Sequence, residues 1–86
     1  RHPKVAQVAV IGISDPLRGE AVKAVVVPQP GEQISAVELA EFARRYLASY
    51  KVPRVFEFRE SLPLTSTGKV DKPALREQPL YEEWVT

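Results

Sequence analysis

The sequence predicts a small α+β domain: an antiparallel sheet with helices packed on it, in the order β-β-α-β-loop-α. Three observations carry that expectation. Two runs rich in β-branched residues, 5–13 and 21–27, flank a short turn-forming stretch. A capped amphipathic segment opens at Ser35. A third run, 54–60, alternates in polarity and leads through a polar loop into a short helical stretch.

In the first run (VAQVAVIGI), Val8 and Val10 share one face while Ala9, Ile11 and Ile13 share the other. Both faces are apolar, which predicts a strand buried on two sides. Asp15-Pro16 starts a turn and Gly19 can take positive φ, so the run AVKAVVV that follows is expected to return antiparallel. Pro28 and Pro30 then remove ladder donors and end the pair. Ser35-Ala36-Val37-Glu38 reads as a capping box, with the Ser35 hydroxyl on the Glu38 amide and the Glu38 carboxylate reaching back. Leu39, Ala43, Tyr46, Leu47 and Tyr50 form the apolar stripe of the helix, and Glu41 and Arg45 form an i,i+4 pair. The helix must end before Pro53. In RVFEFRE, Phe56 and Phe58 are expected inside and Glu57 and Arg59 in water. A last helix is expected from Asp71 or Lys72, with Pro73 in its first turn. Residues 79–86 read as a tail in which Leu80, Tyr81 and Trp84 dock back.

Composition narrows the function. Eighty-six residues make one domain, because two cores would each bury too little apolar surface. Twelve Lys and Arg against eleven Asp and Glu, mixed along the chain, leave no basic footprint for nucleic acid. There is no cysteine, and His2 is the single histidine, so neither a disulfide framework nor a His/Cys metal cluster is expected. No apolar run approaches the roughly 20 residues that cross a bilayer, and no signal-peptide pattern opens the chain. A cytoplasmic location is the matching expectation. Starting at Arg1 without any methionine, the chain is expected to be a portion of a larger polypeptide.

The residue with most chemistry is Lys69, on the polar loop of Leu62-Pro63-Leu64-Thr65-Ser66-Thr67-Gly68-Lys69-Val70-Asp71-Lys72. A phosphate-binding P-loop would need Gly at position 63 and Ser or Thr at position 70. Pro63 and Val70 stand there instead, so that motif is rejected. What remains is a cation beside Gly68, with Thr65, Ser66 and Thr67 offering hydroxyls. A solvated turn lysine is the plainer alternative.

Three ordered blocks change that balance. His2-Pro3-x-Val5, the strand Ala9-Val10-Ile11-Gly12 and Asp15-x-x-x-Gly19-Glu20-x-x-x-Ala24-x-Val26 make the first. Leu47-Ala48-x-Tyr50-Lys51-Val52-Pro53-x-x-Phe56 makes the second, and Leu62-Pro63-x-Thr65-x-Thr67-Gly68-Lys69-Val70 the third. Together they resemble the C-terminal subdomain of the adenylate-forming (AMP-binding) enzymes, most closely an acyl-CoA synthetase. The resemblance assigns residues 1–78 to the lid subdomain and leaves 79–86 as the tail. It implies a mobile lid on a large N-terminal adenylation domain of the same polypeptide, which would hold most of the ATP, Mg²⁺ and CoA, together with a carboxylic acid substrate that the sequence does not name; fatty acid metabolism is the matching setting. Lys69 would be the catalytic lysine of acyl-adenylate formation, and Pro63, Thr67 and Gly68 would support its loop, with Gly68 as hinge. The isolated fragment would be inactive and would bind no cofactor tightly. The same loop resembles sites where reversible lysine acylation switches family members off by removing the charge.

Gly19, Glu20, Lys51 and Arg54 are candidate CoA or interdomain contacts, with an ordinary hairpin turn and solvated charges as the simpler account of each. Two family features, a Gly-Arg-x-Asp hinge block and the helix before His2-Pro3, have no counterpart in the sequence. The alternatives are the lid of a carrier-protein-loading adenylation domain, to which Gly68-Lys69-Val70-Asp71 leans, and a non-catalytic binding module that kept the fold.

Overall fold

A computed structural model describes residues 2–17, 19–47, 51–77 and 82–85. β-Branched content builds the first two strands, β1 (Val5–Asp15) and β2 (Gly19–Pro28), which pair antiparallel over their whole length. Their turn is set by Asp15, whose Oδ1 accepts from the Leu17 amide at 2.9 Å, and by Gly19 at φ 84°. Helix α1 (Ala36–Tyr46) follows, then β3 (Val55–Phe58), α2 (Lys72–Glu77) and β4 (Glu82–Trp84). The strands form one sheet in the order β1-β2-β3-β4.

The α+β class and the β-β-α-β-α order agree with the sequence reading. The sheet is mixed, however, because β3 pairs parallel to β2, with Lys23 opposite Val55 and Val26 opposite Phe58. A chain that leaves β2, crosses one face as α1 and returns must re-enter in the same direction. The stretch read as a tail also supplies a strand: β4 pairs antiparallel to β3 and covers its free edge. Tyr50, Leu80 and Tyr81 lie outside the described residues.

The Ser35 cap forms as expected, its hydroxyl accepting from the Glu38 amide at 3.0 Å, a contact of about 1 kcal/mol. The reciprocal half of the box is replaced: the Glu38 carboxylate lies 3.4 Å from His2 Nε2 and 3.5 Å from Lys4 Nζ. Those groups from the chain's start offer it a better partner than an amide. Glu41 likewise meets Arg44, at 3.6 Å, in place of Arg45. His2 is held, its Nδ1 accepting from the Lys4 amide at 3.2 Å and its ring set edge-on to Phe42.

Two apolar layers enclose the sheet. On one face Ala36, Leu39 and Ala40 of α1 pack on Ala24, Val26 and Phe56. On the other, Leu75 of α2 packs on Ala9, Ile11 and Val25, with Leu62 and Val70 against them. β1 is thus buried on one face alone; Val8 and Val10 are 53% and 49% exposed. Helix α1 sits over β2 and β3, so the α1-side face of β1 forms one wall of an open apolar groove of about 510 Å³. Tyr46 and Leu47, expected in the core stripe, are exposed on that groove.

Candidate functional site

The α2 face carries Lys69 on a short hairpin closed by its own main chain. Leu64 and Val70 form an antiparallel bridge. Within it the Gly68 amide donates to the Thr65 carbonyl at 2.9 Å and the Thr65 amide to the Lys69 carbonyl at 2.7 Å. Below it the Asp71 amide donates to the Pro63 carbonyl at 2.8 Å. The Thr65 hydroxyl accepts from the Lys69 amide at 3.2 Å and lies 3.0 Å from the Thr67 hydroxyl. The hairpin stands on the core through Leu62 and Val70, half-buried against the cluster of Ala9, Ile11, Val25 and Leu75. Asp71 Oδ1 accepts from the Ala74 amide at 3.1 Å, joining the hairpin to α2. Arg76 Nε donates to the Gly12 carbonyl at 3.2 Å, tying α2 to β1.

Gly68 therefore has a turn to satisfy, besides any role as hinge: its φ is +87°, in the left-handed region, inside a bonded loop. A Cβ there would meet nothing within 4 Å, so the strain of a substitution is in the backbone alone. Gly68→Ala is expected to destabilise the domain by about 1 kcal/mol, read as a lower urea midpoint. Gly68→Asn, which tolerates this conformation, should lose less; equal losses would refute the backbone account.

Lys69 is exposed, and among the described residues its ammonium has no hydrogen-bond or ion-pair partner. A long stem on a fixed base, with three free donors, suits oxygens that carry negative charge. Pro63 is half-buried at the base of the hairpin and Thr67 exposed near its tip.

The other candidate residues lie at the start of β2 and in the stretch before β3. Gly19 and Glu20 are exposed at the start of β2. The Arg54 amide donates to the Val22 carbonyl at 2.9 Å, and the Arg54 carbonyl accepts from the Val85 amide at 2.7 Å. Arg54 is thus pinned between β2 and the C-terminal strand, half-buried, with Lys51 exposed just before it. Gly19, Glu20 and Arg54 share one end of β2, while Lys69 projects from the α2 side.

A buried ionic cluster went unread in the sequence. Lys23 is 1% exposed and Glu57 is fully buried, with the Lys23 ammonium 2.5 Å from Glu57 Oε1. Lys23 also binds Glu82 of β4, and Glu57 binds Arg59. Glu57 and Arg59 were expected in water; Glu57 lies instead beside Val25 on the α2 side of a central strand. Burial pushes the Glu57 carboxyl up, but hydrogen bonds and charge from Lys23 and Arg59 outweigh it and hold the carboxyl below the ordinary range. The available signal was Lys23 itself, a lone charge inside Ala21–Val27, where the strand must be buried on both faces. Among the described residues no three His, Cys, Asp or Glu side chains converge as a metal site, and no helix is long and apolar enough to cross a membrane.

The domain is thus a mixed sheet with a helix on each face and a hairpin that exposes Lys69, whose ammonium has no partner among the described residues. This chain belongs to the AMP-binding enzyme C-terminal domain family, whose model matches residues 1–69. It is 45% identical over 82 residues to a long-chain-fatty-acid–CoA ligase of Bacillus subtilis, covering 95% of this chain and 14% of that protein. It is 48% identical over 75 residues to a feruloyl-CoA synthase of an Amycolatopsis species, covering 87% and 15%. Among solved structures, an amide bond synthetase of Marinactinospora thermotolerans superposes with a TM-score of 0.84 at 42% identity, covering 88% of this chain and 15% of that one. The chain thus spans about one seventh of the length of the relatives it matches.

Proposed function

We propose that this chain is the C-terminal lid of an ATP-dependent acyl-CoA synthetase and that it supplies Lys69 for acyl-adenylate formation. The observation that carries this reading is the Lys69 hairpin: a cation with no partner among the described residues, on a loop fixed to the domain core. The names of the relatives, ligases and synthetases of CoA thioesters, support the reaction class.

In the first step a carboxylate oxygen attacks the α-phosphorus of ATP, and the bond to pyrophosphate breaks. Negative charge shifts among the carboxylate, the phosphoryl oxygens and the leaving group. A pre-positioned ammonium stabilises that charge most when closure excludes water. Lys69 has the reach and the free donors to touch oxygens of both reactants. In the second step the CoA sulfur displaces AMP from the acyl carbon. Gly19, Glu20, Lys51 and Arg54 are the residues of this chain assigned to interdomain or CoA contacts there. The Mg²⁺ that accompanies ATP would be held by the phosphates and the other domain, since the described acidic residues here do not converge.

The test is activity of the whole polypeptide against that of this chain alone. With a panel of fatty and aryl acids, the whole polypeptide should show carboxylate-dependent ATP–pyrophosphate exchange and CoA-dependent release of AMP, and the isolated chain neither. Exchange without CoA-dependent AMP release would move the acceptor to a carrier protein or an amine. Turnover by the isolated, contaminant-free chain would overturn the lid reading.

A further inference from the structure

We infer that Thr65 is a positioning residue for Lys69, an inference that rests on Lys69 acting in adenylation. A lysine side chain with a free ammonium is aimed only by its own main chain and its surroundings. Both main-chain polar groups of Lys69 are held by Thr65: the Lys69 carbonyl accepts from the Thr65 amide at 2.7 Å, and the Lys69 amide donates to the Thr65 hydroxyl at 3.2 Å.

The hydroxyl stands in for the acceptor of a regular pair, which the turn directs to another amide. In a regular antiparallel pair the Lys69 amide would donate to the Thr65 carbonyl. Here the Gly68 amide takes that carbonyl at 2.9 Å, as the left-handed Gly68 tightens the turn. The side-chain oxygen of Thr65 replaces it. A second contact, 3.0 Å to the Thr67 hydroxyl, braces the same oxygen across the turn. Ser66, whose hydroxyl is equally available by sequence, has no hydrogen bond to this hairpin among the described contacts.

Thr65 is exposed. In the open domain water can replace its hydroxyl at the Lys69 amide, so removing it should scarcely alter stability. In a closed site water is excluded, and a small misplacement of the ammonium then lowers the rate of the step that uses it. Thr65 therefore acts on the reaction through Lys69.

The experiment compares Thr65→Val, which keeps the branched shape and deletes the hydroxyl, with Thr65→Ser, which keeps the hydroxyl. Both are made in the whole polypeptide beside a Lys69→Ala control. Thr65→Val should lower the maximal rate of carboxylate-dependent ATP–pyrophosphate exchange about tenfold and leave the KM for ATP within about twofold. Thioester formation from preformed acyl-adenylate should stay at the unmodified rate. Thr65→Ser should recover exchange to within about threefold. Thr65→Val at the unmodified rate, Thr65→Ser as slow as Thr65→Val, equal losses in both half-reactions, or a Thr65→Val protein that does not fold would each overturn the assignment. If Lys69→Ala abolishes exchange while Thr65→Val does not, Thr65 alone loses its role. If Lys69→Ala leaves exchange intact, the reading of Lys69 falls and Thr65 falls with it.

Discussion

Replacing Lys69 with alanine in the whole polypeptide is expected to lower carboxylate-dependent ATP–pyrophosphate exchange by about 10²–10³-fold. That range is the usual effect of deleting one pre-positioned group that meets charge as it develops. Thioester formation from supplied acyl-adenylate should be spared, because the new charge in that step develops around the acyl carbon and sulfur. Folding should be spared as well. The ammonium has no partner among the described residues, and the bonds that close the hairpin use the Lys69 main chain. Losses of equal size in the two half-reactions would make Lys69 structural. Arginine should restore only part of the rate, since its planar fork cannot follow oxygens that change position as a compact ammonium can. Acylation of Lys69, which removes the same charge, should reproduce the alanine phenotype and be reversed by deacylation.

Much of this fold was legible because its elements are specified locally. The runs 5–13 and 21–27 carry their β character residue by residue, and Asp15-Pro16 with Gly19 fixes their turn within a few positions. Ser35 marks the start of α1 for the same reason. What escaped depends on partners distant in sequence. The direction of β3 follows from the path of α1 over the sheet, which no pattern within VFEF contains. Glu82–Trp84, with two glutamates in three residues, has no strand signature; it is a strand because β3 has a free edge beside it. Alternation sends Glu57 to water, yet Lys23 and Arg59 make burial tolerable there. At the candidate site, the loop that carries Lys69 was legible from its run of polar residues and Gly68 between β3 and α2. The grip of Thr65 was not, since it depends on which amide takes the Thr65 carbonyl.

The largest effect on stability is expected at Lys23. Lys23→Met deletes the cation between Glu57 and Glu82 and leaves Glu57, fully buried, with Arg59 as its remaining basic contact in the cluster. Removing one partner of a buried pair costs about 3–5 kcal/mol, mostly for the charge left behind. Against a total near the lower end of about 5–15 kcal/mol for a domain of this size, that loss approaches unfolding. Adding Glu57→Gln to Lys23→Met should recover part of it, so that the double variant is more stable than the sum of single losses by about 1–3 kcal/mol. Acid separates this account from simple loss of packing. The Glu57 carboxyl is held below its ordinary value in the folded chain, so its contribution is present above that value and is lost as pH falls through the lowered one. Without Lys23 the burial remains and two of the four contributions that lower this carboxyl are gone, so the variant's carboxyl should protonate at higher pH than that of the unmodified chain. The difference between the urea midpoints of the unmodified chain and Lys23→Met should therefore narrow as pH falls from neutral to about 4.5 and just below. A difference that stays constant across that range would mean that Lys23 stabilises the domain through its buried methylene stem alone, and the ionic cluster would lose its place in the energetics.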